Sequence, residues 1–274
     1  MMIEEIIKKL REEFPLEYAM QWDNPGLQVG RMDRAAKKVY VALDATDEVI
    51  HECIRWEADL LVTHHPLLMS GIKKVNSEEY LGRKVLALAE HGIAHYAMHT
   101  NYDVVKMSEL AESALRLQDV QVLEVTGTFQ DGRDCGIGSV GTLSEKISAK
   151  DCCEYVKKAY GLQSVRLFGS PEAPVYRLAV SPGSGKSMIA PALEQKADLL
   201  VTGDIGHHDG LDAVDQGLLI IDAGHYGMEH VFMEDVKDYL DESGMDVTGM
   251  SDEEILEASE IFSLADGTYL IVEG

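Results

Sequence analysis

Ala58-Asp59-Leu60-Leu61-Val62-Thr63-His64-His65-Pro66 is the stretch on which the fold turns. Leu60 to Val62 is a short, branched, apolar run of the kind that forms a buried strand, and it stops at once in a threonine, two imidazoles and a proline that cannot continue a central strand. Open α/β sheets place their chemistry at the carboxyl ends of their strands. His64 and His65 are therefore candidate ligands, although an isolated His-His pair also serves as surface or capping residues. Successive side chains leave an extended backbone on opposite sides, so the two imidazoles suit two neighbouring metal ions better than one shared ion.

Working outward, residues 39–43 read as a strand, Asp44, Thr46 and Asp47 offer N-caps, and residues 48–57 read as a helix. Strand, helix, strand in this spacing is a parallel crossover unit. A helix over 80–91 stops at Gly92, and a strand over 93–98 runs into His99-Thr100-Asn101-Tyr102-Asp103, a second strand end rich in ligand-type residues. A shift of 139 residues then lays 39–43 on 178–182 and Ala58–Thr63 on an identical Ala197-Asp198-Leu199-Leu200-Val201-Thr202. A repeated hexapeptide at a fixed distance from a preceding strand indicates an internal duplication. Gly203-Asp204 replaces the two histidines in the second copy. A third strand over 218–221 ends in Asp222-Ala223-Gly224-His225-Tyr226-Gly227-Met228-Glu229, and His225-x3-Glu229 echoes His99-x3-Asp103.

The remaining segments fill in an α/β chain. Helices are expected near 1–14, 108–117, 148–159, 211–216 and from about 230 to 240, with strands over 121–125 and 269–272. The turn-rich stretch 17–30 reads as a loop over the sheet edge, unless its Asp23, Asn24 and Gln28 bond a ligand. The glycine-rich stretch 127–141 reads as the turn between halves, which divides the chain into 1–126 plus 245–274 and 127–244. Pro182-Gly183-Ser184-Gly185-Lys186-Ser187 looks like a phosphate-binding loop but has Val180 where that motif needs glycine, and reads as a turn first and an anion site second.

The formal charge of −24 disfavours nonspecific attraction to nucleic-acid backbones and to anionic membranes, and no apolar run spans a bilayer. Cys53, Cys135, Cys152 and Cys153 show no Cys-x2-Cys pair and read as reduced thiols of a cytoplasmic protein.

On a helix, His225 and Glu229 share a face one turn apart, a spacing that serves either a solvated pair or two ligands of one centre. Together with His64, His65 and Asp103 they make three imidazoles and two carboxylates, enough to hold two divalent ions with positions left for water. Nitrogen and oxygen donors without thiolate suit iron, zinc, manganese, cobalt or nickel alike. Such a pair activates water for hydrolysis without a side-chain nucleophile. His99 reads as a proton donor or acceptor beside it, or as an orienting histidine. Asp204, His207 and His208 are weaker candidates, and His51, His91, His95 and His230 are assigned to structure or surface.

Five segments resemble the NGG-interacting-factor-like family of dinuclear-metal-centre proteins, many of which are named type II GTP cyclohydrolase I. They are Trp22-Asp23-Asn24 with Gly26-Leu27-Gln28-Val29-Gly30, Thr63-His64-His65-Pro66, His99-Thr100-Asn101-Tyr102-Asp103, Thr202-Gly203-Asp204 with His208-Asp209, and Asp222-Ala223-Gly224-His225-Tyr226 with Glu229. The resemblance implies two intertwined α/β repeats with mixed sheets, a ring-like homohexamer with metal pairs facing an internal cavity, and ligands at His64, His65, Asp103, His225 and Glu229. It implies hydrolytic opening of the GTP purine ring or action on a related phosphorylated small molecule. The competing expectation is a noncatalytic metal-binding or regulatory scaffold. Some members carry an inserted domain between the halves, for which this chain is too short.

Overall fold

The computed structural model describes residues 1–242, 244, 246–249, 260–263 and 269–272. Its strands, in chain order, begin with β1 (Gly26–Val29), β2 (Lys38–Ala42), β3 (Leu60–Thr63) and β4 (Ala94–Ala97). They continue with β5 (Gln118–Thr128), β6 (Asp134–Ser148), β7 (Arg166–Phe168), β8 (Pro174–Ser184), β9 (Leu199–Gly203) and β10 (Leu219–Asp222), and finish with β11 (Asp246–Gly249), β12 (Glu260–Ser263) and β13 (Tyr269–Val272). One mixed sheet has the order β1-β4-β3-β2-β11, a second the order β5-β6-β8-β9-β10-β7, and β12 pairs with β13.

The chain forms two compact units. The first comprises Met1–Leu10, Asn24–Met98 and the described residues from Met233 on; the second comprises Arg11–Asp23 and His99–Phe232. These boundaries differ from the division expected at 126/127 and 244/245. The reason is strand pairing: β5 lies antiparallel to β6 along most of its length, so the segment carrying it, and Asp103 upstream, belongs with the second sheet.

The first unit is built on β2, β3 and β4, which run parallel, with β1 antiparallel at one edge. Leu60, Leu61 and Val62 are fully buried, as the uninterrupted apolar run requires of a strand covered on both faces. Each contributes roughly 1.5–3 kcal/mol of burial energy. Thr46 caps the helix Asp47–Trp56 by accepting from Val49 N at 3.1 Å, and Glu57 closes it in a left-handed conformation. The amino-terminal helix Ile3–Glu13 buries Ile3, Ile6, Ile7 and Leu10, the stripe its spacing announces.

The second unit repeats this plan, with β8, β9 and β10 parallel and β7 antiparallel beside β10. The duplication extends to individual hydrogen bonds. Asp59 Oδ2 accepts from Lys37 N at 2.8 Å and Lys38 N at 3.1 Å, while Asp198 Oδ2 accepts from Tyr176 N and Arg177 N at 2.8 Å each. Lys38 Nζ donates to Trp56 O at 2.8 Å as Arg177 Nε does to Gln195 O at 2.8 Å. Left-handed Glu57 is matched by left-handed Lys196. Every one of these pairs obeys the same residue shift as the hexapeptide, so the aspartate of Ala-Asp-Leu-Leu-Val-Thr clamps the start of the neighbouring strand in both copies.

Two expectations change. The glycine-rich stretch is no simple turn but mainly the long strand β6, joined to β5 through a tight turn in which Phe129 N bonds Arg133 O at 2.8 Å. Its glycines permit close backbone approach, since a Cβ on Gly136 would lie 1.9 Å from Glu124 O. Within the expected loop 17–30, Gly26–Val29 is an edge strand against β4. Asn24 Nδ2 donates to Leu68 O at 2.5 Å and Gln28 Oε1 accepts from Leu68 N at 3.1 Å, so both amides tie the edge down. The helices near 1–14, 48–57, 80–91 and 148–159 and the strand over 269–272 stand as read, the last within a hairpin with β12.

Candidate metal centre

In the first unit, β3 delivers His64 and His65 to its carboxyl end. His64 is fully buried, and its Nδ1 lies 2.9 Å from Met98 O. A carbonyl can only accept, so the proton sits on Nδ1 and Nε2 is the nitrogen with the lone pair, the tautomer of a metal-ligating histidine. His65 Nδ1 lies 3.0 Å from Asp44 Oδ1, an arrangement with the same consequence. The two rings stand 4.8 Å apart between centroids.

A buried relay fixes this strand end. Thr63 Oγ1 donates to His65 O at 2.7 Å, and having used its proton there it accepts from His95 Nε2 at 2.7 Å. Burial pushes the His95 imidazole down to about 3, so it is a neutral donor. Because an unfolded histidine titrates near about 6.5, this contribution to stability is intact above that pH and is lost as pH falls toward 3. The slope reaches about 1.4 kcal/mol per pH unit. Urea midpoints of the metal-free protein should drop from pH 7 to pH 5, and His95→Gln, whose amide also donates to Thr63, should reduce that drop. An identical pH dependence in both proteins would contradict this.

In the second unit, His99 precedes a short helical segment, Thr100–Tyr102, that passes at Asp103 into a π-helical turn, Asp103–Met107. Such turns are rare and concentrate at functional sites. His99 Nδ1 is 2.8 Å from Asp23 Oδ1, and Asp23 Oδ2 accepts from Thr100 N at 2.9 Å and Thr100 Oγ1 at 2.5 Å. Burial raises the Asp23 carboxyl, but the hydrogen bonds from His99 and Thr100 and the His99 charge outweigh it, leaving it at about 2. Asp23 is thus a fixed acceptor that holds the His99 proton on Nδ1.

His225 and Glu229 occupy the short helix that follows β10. His225 Nε2 is 3.0 Å from the buried Glu229 Oε2, and His225 Nδ1 is 2.7 Å from Asp204 Oδ2. Asp204 sits in a left-handed conformation at the position where the first copy has His65, and there it orients a histidine. Asp222 holds the turn before His225 through Gly224 N at 3.1 Å and Ile205 N at 3.1 Å.

The phosphate-loop-like stretch is explained by this packing. Gly183 has φ +81°, and a Cβ on it would lie 2.5 Å from Glu229 Oε1; a Cβ on Gly185 would lie 1.9 Å from Thr202 Oγ1. Lys186 pairs with Asp209 at 3.0 Å. The glycines are there to let β8 pass close to Glu229 and Thr202. Gly183→Ala should displace the Glu229 carboxylate and weaken metal binding about 10–100-fold, read by competition with a chelating dye. Unchanged affinity would show that the carboxylate is not a ligand.

Among the described residues, His64 and His65 of the first unit and His99, His225 and Glu229 of the second each offer an atom suited to a metal ion. The structure brings His64 beside His65 and His225 beside Glu229, and places Asp103 at the start of the π-turn. His207 and His208 are exposed with rings 5.3 Å apart, the first two residues of the helix His207–Asp215. Two orienting carboxylates were missed as such: Asp23, far from His99 in sequence, and Asp204.

The fold and its strand-end side chains define a duplicated α/β protein that presents histidines and carboxylates able to serve as metal donors. The chain belongs to the Duf34/NIF3 (NGG1p interacting factor 3) family, whose model matches residues 1–254. It is 35% identical over 248 residues to a GTP cyclohydrolase 1 type 2 homolog of Lactococcus lactis, covering 88% of this chain and 91% of that one. A protein of the same description from Clostridium acetobutylicum is 31% identical over 221 residues, 80% and 82% of the two chains. Among solved structures, reduced HcgD from Methanocaldococcus jannaschii aligns with a TM-score of 0.80 at 30% identity, covering 92% of this chain and 98% of that one. A Bacillus cereus protein related to NIF3 aligns at 0.82 and 24% identity, covering 91% and 96%, a likeness of fold.

No helix among the described residues is long and apolar enough to cross a membrane. Cys53, Cys135, Cys152 and Cys153 are free thiols.

Proposed function

We propose that the protein is a dinuclear metal-dependent hydrolase of a nucleotide or related phosphorylated small molecule, with ring opening of the GTP cyclohydrolase type as the reaction its relatives' names suggest. In this reading His64, His65, Asp103, His225 and Glu229 together hold two divalent ions, which when bound supply Lewis acidity toward water and substrate oxygens. The observation that carries it is the state of the imidazoles: His64 and His65 each have Nδ1 against an oxygen acceptor, Met98 O or Asp44, which orients Nε2 as the donor atom, while His225 Nε2 stands 3.0 Å from the buried Glu229 Oε2, as two ligands of one centre would. The donor set fits iron, zinc, manganese, cobalt or nickel.

The chain's own groups have distinct tasks. Asp23 orients His99, and His99 moves a proton to or from the substrate through Nε2. The buried Glu229 brings negative charge that offsets cationic charge at little reorganisation cost. A cytoplasmic homohexamer is part of the same reading, checked by light scattering.

The test is turnover of a panel of nucleotides and phosphoesters by protein loaded with iron, manganese or zinc. Hydrolysis that chelation abolishes and metal restores supports the reading. Metal-loaded protein inert across the panel rejects it in favour of a noncatalytic metal-binding or regulatory scaffold.

A further inference from the structure

We propose that Trp22 is a specificity-determining residue of this site, a stacking surface that selects substrates carrying a planar heteroaromatic ring. The inference rests on the reading of His99 as the proton-transfer group, and it names the residue that would select a base-bearing substrate over the other phosphorylated molecules that reading admits. Of the two tryptophans, Trp56 is partly buried with Lys38 Nζ 5.3 Å from its ring, whereas Trp22 leaves 60% of its surface exposed. An indole so exposed gains little burial energy and adds little to folding.

It is nevertheless held firmly. Trp22 lies in a turn closed by Asp23 N bonding Met20 O at 3.0 Å. That turn is clamped at both ends to the segment after His99: Met20 N donates to Thr100 Oγ1 at 2.9 Å, and the Asp23 carboxylate takes Thr100 N and His99 Nδ1. The result places the indole 5.9 Å from the His99 ring, with planes inclined at 76°. The same dipeptide, Trp22-Asp23, therefore orients the imidazole and sets an aromatic face beside it.

A lone indole flanked by Gln21, Asp23 and Asn24 is too small an apolar surface for a protein partner, which needs about 800 Å² per side. It matches one base, and base–aromatic stacking survives where charge does not help. The formal charge of −24 opposes approach of a polyanion. Stacking is uncharged, so the acidic field leaves that part of the affinity intact.

Guanosine 5′-monophosphate and ribose 5-phosphate share a phosphoribosyl group and differ in the ring. Both are titrated calorimetrically into the metal-loaded protein. Wild type should prefer the nucleotide, and Trp22→Ala should weaken it about tenfold or more, leaving ribose 5-phosphate unchanged. Trp22→Phe should restore nucleotide binding while losing most of the fluorescence quench that binding causes. Equal weakening of both ligands, unchanged nucleotide affinity in Trp22→Ala, or no preference in wild type would overturn the proposal. A change in oligomer mass with nucleotide affinity retained would assign Trp22 to a subunit contact instead. A nucleotide preference that depends on Trp22 in a protein with no turnover rejects hydrolysis and leaves the stacking surface standing.

Discussion

Glu229→Ala is expected to lower metal affinity by more than about 100-fold, the upper end for losing a mere orienting partner, and to take hydrolysis to background. Glu229 is buried, lies 3.0 Å from His225 Nε2, and sits where β8 carries a glycine whose Cβ would strike its carboxylate. A buried carboxylate placed against an imidazole and given room by a glycine is poorly explained as a stability device, because removing both charges in favour of packed apolar groups is often neutral or stabilising. Glu229→Gln keeps the volume and should fail equally to bind metal. The measurements are metal content after desalting and turnover of the reconstituted protein. Normal metal content in both variants would remove Glu229 from the ligand set.

Asp23→Asn is expected to lose about 2 kcal/mol of stability and about 100-fold in turnover. The carboxylate accepts from His99 Nδ1, Thr100 N and Thr100 Oγ1, three donors facing an acceptor-only group. An amide must turn its NH2 toward one of them and leave a donor facing a donor. Asp23 titrates at about 2 in the fold, below the unfolded value near about 3.9. Its stabilisation is therefore present above that unfolded value and is lost as pH falls toward 2. The stability gap between wild type and Asp23→Asn should be full at pH 7 and close between about pH 4 and pH 2. A gap that stays constant across that range would mean the carboxylate charge is not what matters. Lost stability with undiminished turnover would confine Asp23 to structure.

The central strands were readable because burial on both faces leaves an uninterrupted apolar run, and the repeated Ala-Asp-Leu-Leu-Val-Thr marked the same strand twice. Its aspartate has the same clamping role in each copy, through Asp59 and Asp198, which explains an identity that apolar packing alone would not demand. The positions of His64, His65, His225 and Glu229 just beyond β3 and β10 were readable because the apolar runs of those strands stop there. Asp23 was not: its partner His99 lies 76 residues away, and nothing local distinguishes an orienting carboxylate from an ordinary turn residue. Asp204 had a signal, since it stands where the first copy has His65, but only coordinates show it bonded to His225. The long strand β6 was hidden by its glycines, which read as turn formers although Gly136 and Gly141 serve close strand contact. The boundary between units moved because antiparallel pairing of β5 with β6, a long-range contact, outweighs the glycine content between them.

The most direct test is metal stoichiometry. The purified full chain is reconstituted separately with iron, manganese and zinc, desalted, and measured by elemental analysis beside His64→Ala and Glu229→Ala. The account predicts two ions per chain for at least one of these metals, reduced in both variants while His51→Ala retains the full complement. Wild-type protein that retains no metal, or variants that retain as much as wild type, would contradict it.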